Sequence, residues 1–256
     1  MQCIYCQNYD ISCNVFPQNQ GQSVEEVCET IEELLPLSEG NLGFVSPTHC
    51  VPQMVTIVEA LRQRGTNPVV VYNSNGYDLA ETIRSLESIV DVWLPDFKYS
   101  DNALAMDYSA APGYSAFALS SLKEMVHQCG VTLQTNARGI ATRGVIVRHL
   151  VLPGATTNSI GVLRMIAQEV SPNLHISLMS QYYPAGSIKQ SPETGTRNTK
   201  HETRNHEPLL RTVTKSEYEE VVETFYSLGF SHGWLQDYSS QVNYRPDFSK
   251  DNPFTI

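Results

Sequence analysis

The sequence lacks a long apolar run, a basic surplus and a dense set of cysteines. No stretch approaches the roughly 18 apolar residues of a membrane span, and no basic segment followed by an apolar one marks a secretory signal. We therefore expect no membrane partner. The 17 Lys and Arg against 27 Asp and Glu give a net charge of −10, which disfavours a nucleic-acid partner.

Six cysteines in 256 residues are too few for a disulfide scaffold and favour a reducing, cytoplasmic location. Cys3 and Cys6 form a C-x-x-C pair, which alone fits half a zinc site, a thiol redox pair or part of an iron–sulfur site. Zinc requires a second pair, which the remaining cysteines do not offer. A thioredoxin-type pair should open a well-capped helix, and residues 7–14 show no such pattern.

Short apolar runs alternate with capped helical patterns along most of the chain. Ser23 with Glu26, and Thr214 with Glu217, match the capping box of a helix start, and Asp78 with Glu81 is expected to cap a further helix. This alternation predicts an α/β fold with a parallel sheet, and six strands in all predict an open or partial (β/α)6 barrel. One strand is expected at or before Cys3, and the other five are Leu42 to Val45, Pro68 to Tyr72, Val90 to Leu94, Val145 to Leu152 and His175 to Met179.

Polar clusters follow three of these strands, at 46–49, 73–75 and 96–98. Parallel sheets carry their chemistry in the loops after the strands, so these clusters should share one rim with Cys3 and Cys6. Arg148 and His149 are neighbours inside an apolar strand and must face opposite sides of the sheet. We expect Arg148 to point into the barrel.

The sequence predicts one barrel domain over residues 1–230 and a tail over 231–256 that packs on it. Residues 186–213 are rich in Thr, Arg, Asn and Lys and predict an exposed polar loop insertion. Acidic residues are interleaved there, which argues against a nucleic-acid-binding arm.

The segment from Cys3 to Ser12 resembles the end of the radical SAM signature, C-x3-C-x2-C, followed by the Gln-Asn-Tyr-Asp of proteins related to the pyruvate formate-lyase activating enzyme. Further matches to an uncharacterised branch of that group cover roughly residues 1 to 230. They lie at Phe44 to His49, Val71 to Tyr77, Trp93 to Tyr99 and Val147 to Gly154.

This resemblance implies a radical SAM barrel that binds a [4Fe-4S] cluster and S-adenosylmethionine, and that generates a 5′-deoxyadenosyl radical by reductive cleavage. It implies Cys3 and Cys6 as cluster ligands. The Asp-x-Lys of activating enzymes, whose lysine meets the carboxylate of S-adenosylmethionine, matches Asp96 and Lys98; a surface ion pair is the alternative. The other implied cofactor-binding residues are Ser46, Thr48, Asn73, Asn75, Arg148 and Gln181.

Two of these assignments compete with simpler ones. Asn73 and Asn75 fit contacts to ribose or carboxylate, but also turn chemistry before Gly76. Ser46 and Thr48 stand where related enzymes have a Gly-Gly-Glu-type loop that meets the methionine amino group, and this chain lacks those glycines and that carboxylate.

The main departure from the signature is the missing third cysteine, which should lie four positions before Cys3. Met1 lies only two positions before it. We interpret Met1 as an internal methionine of a longer reading frame, with the first strand and the third ligand truncated. Cys13 is the alternative third ligand, although its spacing differs from that of the family.

The sequence therefore predicts a radical SAM enzyme, with a glycyl-radical protein as its expected partner and flavodoxin or ferredoxin as its expected reductant. Two alternatives are a small-molecule radical SAM enzyme and a truncated, non-catalytic remnant.

Overall fold

The computed structural model describes residues 1–12, 21–189 and 206–242, which fold into a parallel sheet flanked by helices. Apolar runs rich in valine form the central strands, as expected for strands buried on one or both faces. The strands are β1 (Asn41–Val45), β2 (Val69–Ser74), β3 (Val92–Pro95), β4 (Gln134–Thr135), β5 (Ala141–Leu150), β6 (His175–Met179) and β7 (Gly233–Leu235).

The strand order within the described part of the chain is β1-β2-β3-β5-β6-β7, with every neighbouring pair parallel. The short β4 pairs antiparallel with β5, outside this path. The predicted α/β fold with a partial barrel of parallel strands is thereby confirmed. Residues 1–12 contain turns and a short helix, so a strand upstream of Cys3 stays a prediction.

Helices connect successive strands and cover one face of the sheet. Both predicted capping boxes form, at Ser23 with Glu26 and at Thr214 with Glu217. The α-helices are α1 (Tyr9–Ser12), α2 (Val24–Leu34), α3 (Val51–Gln63), α4 (Ala80–Ser85), α5 (Asn102–Ser109), α6 (Tyr114–Cys129), α7 (Thr156–Glu169) and α8 (Lys215–Ser227). Short 3-10 helices cover Leu35–Ser38, Pro47–His49, Gly186–Lys189, Glu207–Leu210 and Tyr238–Val242.

One predicted cap is wrong. The sequence places Asp78 at the start of a helix with Glu81, but the N-cap of α4 is Leu79, and no side chain caps it. Asp78 instead accepts a hydrogen bond from Thr48, thirty residues earlier in the chain. The Asp78 carboxylate therefore bonds to the distant Thr48 hydroxyl and does not cap the backbone amides at the start of α4.

The two faces of the sheet differ in burial, because alternate residues of a strand point to opposite sides. Tyr72, Trp93 and Val147 are fully buried on the helix-covered face. On the inner face burial is incomplete, and Val45 is 68% exposed. Asn73 and Arg148 belong to this inner face, at the carboxyl ends of β2 and β5.

The segment that carries Cys3 and Cys6 is held by backbone hydrogen bonds on two sides. Gln2 and Ile4 donate to the carbonyls of Ser109 and Tyr108 at the end of α5, over 2.8 and 2.9 Å. The Ile4 carbonyl accepts from the amide of Ile188 over 3.2 Å. Gly186 has a φ of +67°, and a Cβ there would lie 2.7 Å from the Ile4 oxygen.

The predicted polar loop and C-terminal tail are described only in part. Residues 190–205 and 243–256 lie outside the described residues. Tyr182 donates to the carbonyl of Leu209 over 2.7 Å, which ties the two ends of the loop together. The strand β7 at the start of the tail was missed, because three residues carry too little periodicity. In the described part of the chain, no helix is both long and apolar enough to span a membrane.

Candidate functional site

A charged cluster forms where β2, β3 and β5 end. Lys98 Nζ lies 2.5 Å from Asp96 Oδ2, and Arg148 Nε lies 3.6 Å from Asp96 Oδ1. Arg148 also donates to Asn73 Oδ1 over 2.9 Å. Residues from three separate strands therefore meet at one rim of the sheet. Two cations and one carboxylate leave the cluster with a surplus positive charge.

Lys98 and Asp96 are largely buried, with side chains 18% and 15% exposed. Burial alone would lower the pKa of Lys98, but Asp96 and Cys3 raise it, and the net result lies above the ordinary value. The ammonium is thus charged at neutral pH. A cationic pair at a half-open rim is suited to a carboxylate or phosphate group of a ligand.

The Cys3 sulfur ends a chain of buried hydroxyl groups. Ser109 Oγ donates to Cys3 Sγ over 3.0 Å, and Tyr99 lies 2.6 Å from Ser109 and 2.5 Å from Tyr5, oxygen to oxygen. Because Ser109 gives its proton to sulfur, the Tyr99 hydroxyl must donate to Ser109. This fixes the position of Cys3 through residues more than ninety positions away.

Burial raises the pKa of the Cys3 thiol above its ordinary value, and Lys98 and Ser109 offset part of that rise. The Cys6 thiol is close enough to contribute a further, smaller rise. Cys6 Sγ accepts from Ser12 Oγ over 3.8 Å. The Cys3 thiol therefore interacts electrostatically with both Cys6 and Lys98.

The described residues do not complete an iron–sulfur site. Cys3 and Cys6 supply two thiols, whereas the radical SAM signature has three. Within residues 1–12, 21–189 and 206–242, no group of three or more His, Cys, Asp or Glu side chains is arranged to hold a metal. Cys13, the alternative third ligand, lies outside these ranges.

The loop after β1 is compact and partly exposed. Ser46 adopts a left-handed conformation with φ of +53°, and its amide donates to the carbonyl of Asn73 over 2.7 Å. Thr48 is exposed, and its hydroxyl donates to Asp78 Oδ1 over 2.7 Å. His49 Nδ1 lies 3.1 Å from the Ser46 carbonyl. The loop is thus fixed to β2 and to the turn that follows it.

Two of the predicted binding residues have other partners. Asn75 Oδ1 accepts from the Tyr77 amide over 2.9 Å, which is the local turn chemistry considered for it. Gln181 Oε1 accepts from Gln236 Nε2 over 2.8 Å, beyond the end of β7. The structure therefore joins the side chains of Asn73, Asp96, Lys98 and Arg148 in one cluster, whereas the side chains of Asn75 and Gln181 bond to other residues.

Sequence reasoning missed Ser109, Tyr99 and Asp78. Each reaches its partner by tertiary contact, and Ser109 lies 106 positions from Cys3. Of these three residues, only Asp78 could have been picked out from the sequence as a site residue, because it is a carboxylate in the loop after a buried strand. Its spacing to Glu81 pointed to a helix cap instead.

The comparisons with known proteins give a fold. No protein-family model matches the chain. An uncharacterised protein of Methanocaldococcus jannaschii is 28% identical over 204 residues, which cover 77% of this chain and 55% of that protein. The chain thus spans about half the length of this curated relative.

Among solved structures, a domain of pyruvate-formate lyase-activating enzyme from Bacteroides vulgatus superposes with a TM-score of 0.51 and 12% sequence identity. The match covers 77% of this chain and 99% of that domain. The chain therefore shares the fold of a domain of an activating enzyme.

Proposed function

We propose that the chain is the barrel of a radical SAM enzyme, which uses a [4Fe-4S] cluster to cleave S-adenosylmethionine reductively. The observation that supports it most is the electrostatic interaction of the Cys3 thiol with Cys6 and with Lys98, which belongs to the charged cluster of Asp96 and Arg148 at one rim of a partial barrel. Thiolates suit iron, and the cations suit a ligand carboxylate.

In this proposal Cys3 and Cys6 supply two thiolates, and the third comes from outside the described residues. Lys98, held by Asp96, would face the carboxylate of S-adenosylmethionine, and Arg148 and Asn73 would line the same rim. A glycyl-radical protein as the substrate and flavodoxin or ferredoxin as the reductant are part of the same proposal, and they rest on the sequence resemblance to activating enzymes.

The first prediction concerns iron. After anaerobic incubation with ferrous iron and sulfide, the chain should hold about four irons and, once reduced, release 5′-deoxyadenosine from S-adenosylmethionine. Cys3→Ala and Cys6→Ala should each lose both properties, because each removes a ligand. Cys129→Ala is the matched control and should keep both, since its sulfur lies near the Asp91 carbonyl, away from the rim.

The third ligand is identified in the same assay. Loss of iron in Cys13→Ala would assign it to Cys13. Iron binding only when the reading frame is extended upstream of Met1 would assign it to a residue there. Iron-free protein in both forms would contradict the proposed function.

A non-catalytic remnant is the second candidate. It is favoured by the finding that, of the five free cysteines in the described residues, only Cys3 and Cys6 belong to the signature segment, and that these residues contain no group of three metal-binding side chains. A remnant predicts a folded, iron-free chain that does not bind S-adenosylmethionine. Calorimetric titration with that compound distinguishes the two candidates.

A further inference from the structure

Two histidines lie side by side on neighbouring strands, outside the candidate site. His175 begins β6, and His232 directly precedes β7. Ile176 pairs with Gly233, and the Ile176 amide donates to the His232 carbonyl over 3.2 Å. The two histidines therefore occupy adjacent, equivalent positions at the amino ends of these strands, whereas the candidate site lies at the carboxyl ends.

The strand pattern places this pair on the inner face of the sheet. Ile176 and Leu178 are fully buried on the helix-covered face of β6, so His175 and Ser177 take the inner face. Arg148 pairs with Ser177 and shares that face. Since β7 is the last strand in the order of the described sheet, His232 is exposed to solvent. An ion can therefore approach the pair from that side.

The two imidazole rings are spaced as two ligands of one metal ion would be. Their centres lie 5.1 Å apart, and their planes are inclined by 29°. An ion about 2.0–2.1 Å from one nitrogen of each ring would lie about 3.2 Å from each ring centre, so tetrahedral coordination would place the centres about 5 Å apart. Binding would then require rotation of the rings but no displacement of the strands.

The chemistry of His175 also suits a metal ligand. Its Nδ1 is buried and has no hydrogen-bond partner among the described residues, and such an atom normally has one. Burial first and His232 second lower the pKa of His175 below its ordinary value. The ring is therefore neutral at neutral pH and need not lose a proton before it coordinates a metal.

We propose that His175 and His232 form a binding site for a divalent transition-metal ion such as Zn²⁺ or Ni²⁺, which joins β7 to β6. Imidazole suits these ions, whereas Mg²⁺ and Ca²⁺ prefer oxygen ligands. In the part of the chain that the structure describes, no group of three or more His, Cys, Asp or Glu side chains is arranged to hold a metal. The other coordination positions are therefore left for water or a small ligand. This site is independent of the proposed function.

Trp234 can report on this site, because its ring centre lies 6.2 Å from that of His175. Ni²⁺ is the probe, since it binds imidazole well and, as a paramagnetic ion, quenches the fluorescence of a nearby indole. Titration of the whole, iron-free chain with Ni²⁺ at pH 7 should give a saturable loss of tryptophan fluorescence. Trp234→Phe should abolish this loss but leave the Ni²⁺ affinity unchanged by calorimetry, because Trp93 is fully buried on the other face.

His175→Ala and His232→Ala should each raise the Kd for Ni²⁺ at least about tenfold, because each leaves a single imidazole. His127→Ala is the matched control and should leave the Kd unchanged, since that side chain is 82% exposed on α6. His232 is exposed, so His232→Ala should fold normally and decides the test if His175→Ala is unstable.

Three results would overturn the inference. The first is the absence of saturable quenching in the unmodified chain, and the second is an unchanged Kd in His232→Ala, which would mean that the two rings merely stack. The third is quenching that persists in Trp234→Phe, because it would place the ion near Trp93.

Discussion

His149 is a fully buried histidine whose neighbour on the strand, Arg148, faces the rim. Its Nδ1 lies 2.6 Å from the carbonyl of Phe97, so Nδ1 carries the proton of a neutral ring. Its Nε2 has no hydrogen-bond partner among the described residues. Burial lowers the pKa of His149 to about 4, and the Phe97 carbonyl offsets only part of that effect.

This lowered pKa predicts a loss of stability in mild acid. The unfolded chain takes up a proton on this ring below about pH 6.5, whereas the folded chain does so only near pH 4. The stability that the neutral His149 ring contributes is therefore present above pH 6.5 and is lost as the pH falls towards 4. Between pH 7 and pH 5 the free energy of unfolding should drop by about 2 kcal/mol through this residue.

Urea unfolding of the chain and of His149→Gln at pH 7 and pH 5 measures this effect. The variant should be less stable at pH 7 but should show a flatter pH dependence. His127→Gln is the control, because its side chain is 82% exposed. An equally steep pH dependence in His149→Gln would assign the acid sensitivity to other groups.

At the scale of elements, the start of α8 is joined to β5 by one carboxylate. Glu217 completes the capping box with Thr214, and its two oxygens each accept from Arg211 over 2.7 Å. Oε1 also accepts from the Gly154 amide over 2.7 Å, in the turn after β5. The Arg211 guanidinium is the main cause that lowers the pKa of Glu217 to about 2.

Glu217→Ala should therefore cost about 2–3 kcal/mol of unfolding free energy at pH 7, since it removes a cap and several charge-assisted bonds. The matched change Glu219→Ala, on the same helix, should cost less than about 0.5 kcal/mol, because the Glu219 side chain is 58% exposed.

The stability that Glu217 provides is present above about pH 4.5 and is lost as the pH falls towards 2. The difference in stability between the two variants should therefore shrink in that range. Equal stability of Glu217→Ala and Glu219→Ala at pH 7, measured by urea unfolding, would contradict the argument.

At the scale of the whole molecule, the sequence was most informative where the signal is local. The valine run correctly predicts the strand β2 (Val69–Ser74), and the capping box at Ser23 correctly predicts the start of α2. Both predictions succeed because burial patterns and caps involve residues that are near neighbours in the sequence. The strand at Gly233–Leu235 was missed, since three residues carry too little periodicity and only the pairing with β6 defines the strand.

The candidate site was likewise predicted only in part from the sequence. The loops after the strands were found from the order of elements, but the partners of Cys3 and Thr48 were not. Ser109 and Asp78 reach them only when the chain is folded. A hydrogen bond between residues far apart in the sequence leaves no periodic pattern, so no window of sequence reveals it.

The packing of Gly186 predicts how the segment that carries Cys3 and Cys6, the cysteine segment, is anchored to the barrel. Gly186 lies against the backbone of Ile4 and Cys6, where an added Cβ would meet the Ile4 oxygen at 2.7 Å and the Cys6 nitrogen at 3.0 Å. Gly186→Ala should therefore push the cysteine segment away from the barrel. In the reduced, iron-free chain, Cys3 and Cys6 should then react with iodoacetamide about fivefold faster. A fivefold rise corresponds to making local opening of the segment easier by about 1 kcal/mol. Peptide mapping by mass spectrometry gives the rate at each cysteine.

Gly139→Ala is the matched control, which distinguishes the effect of the Cβ contact in Gly186→Ala from the effect of backbone strain at a positive φ. Gly139 has a φ of +77°, similar to the +67° of Gly186, but no atom lies within 4 Å of its added Cβ. It should therefore share the strain and leave the alkylation rates of Cys3 and Cys6 unchanged. Cys28, which is 1% exposed, reports global unfolding in the same sample. If Gly186→Ala accelerates Cys28 as much as Cys3, the glycine supports the fold as a whole and does not specifically anchor the cysteine segment.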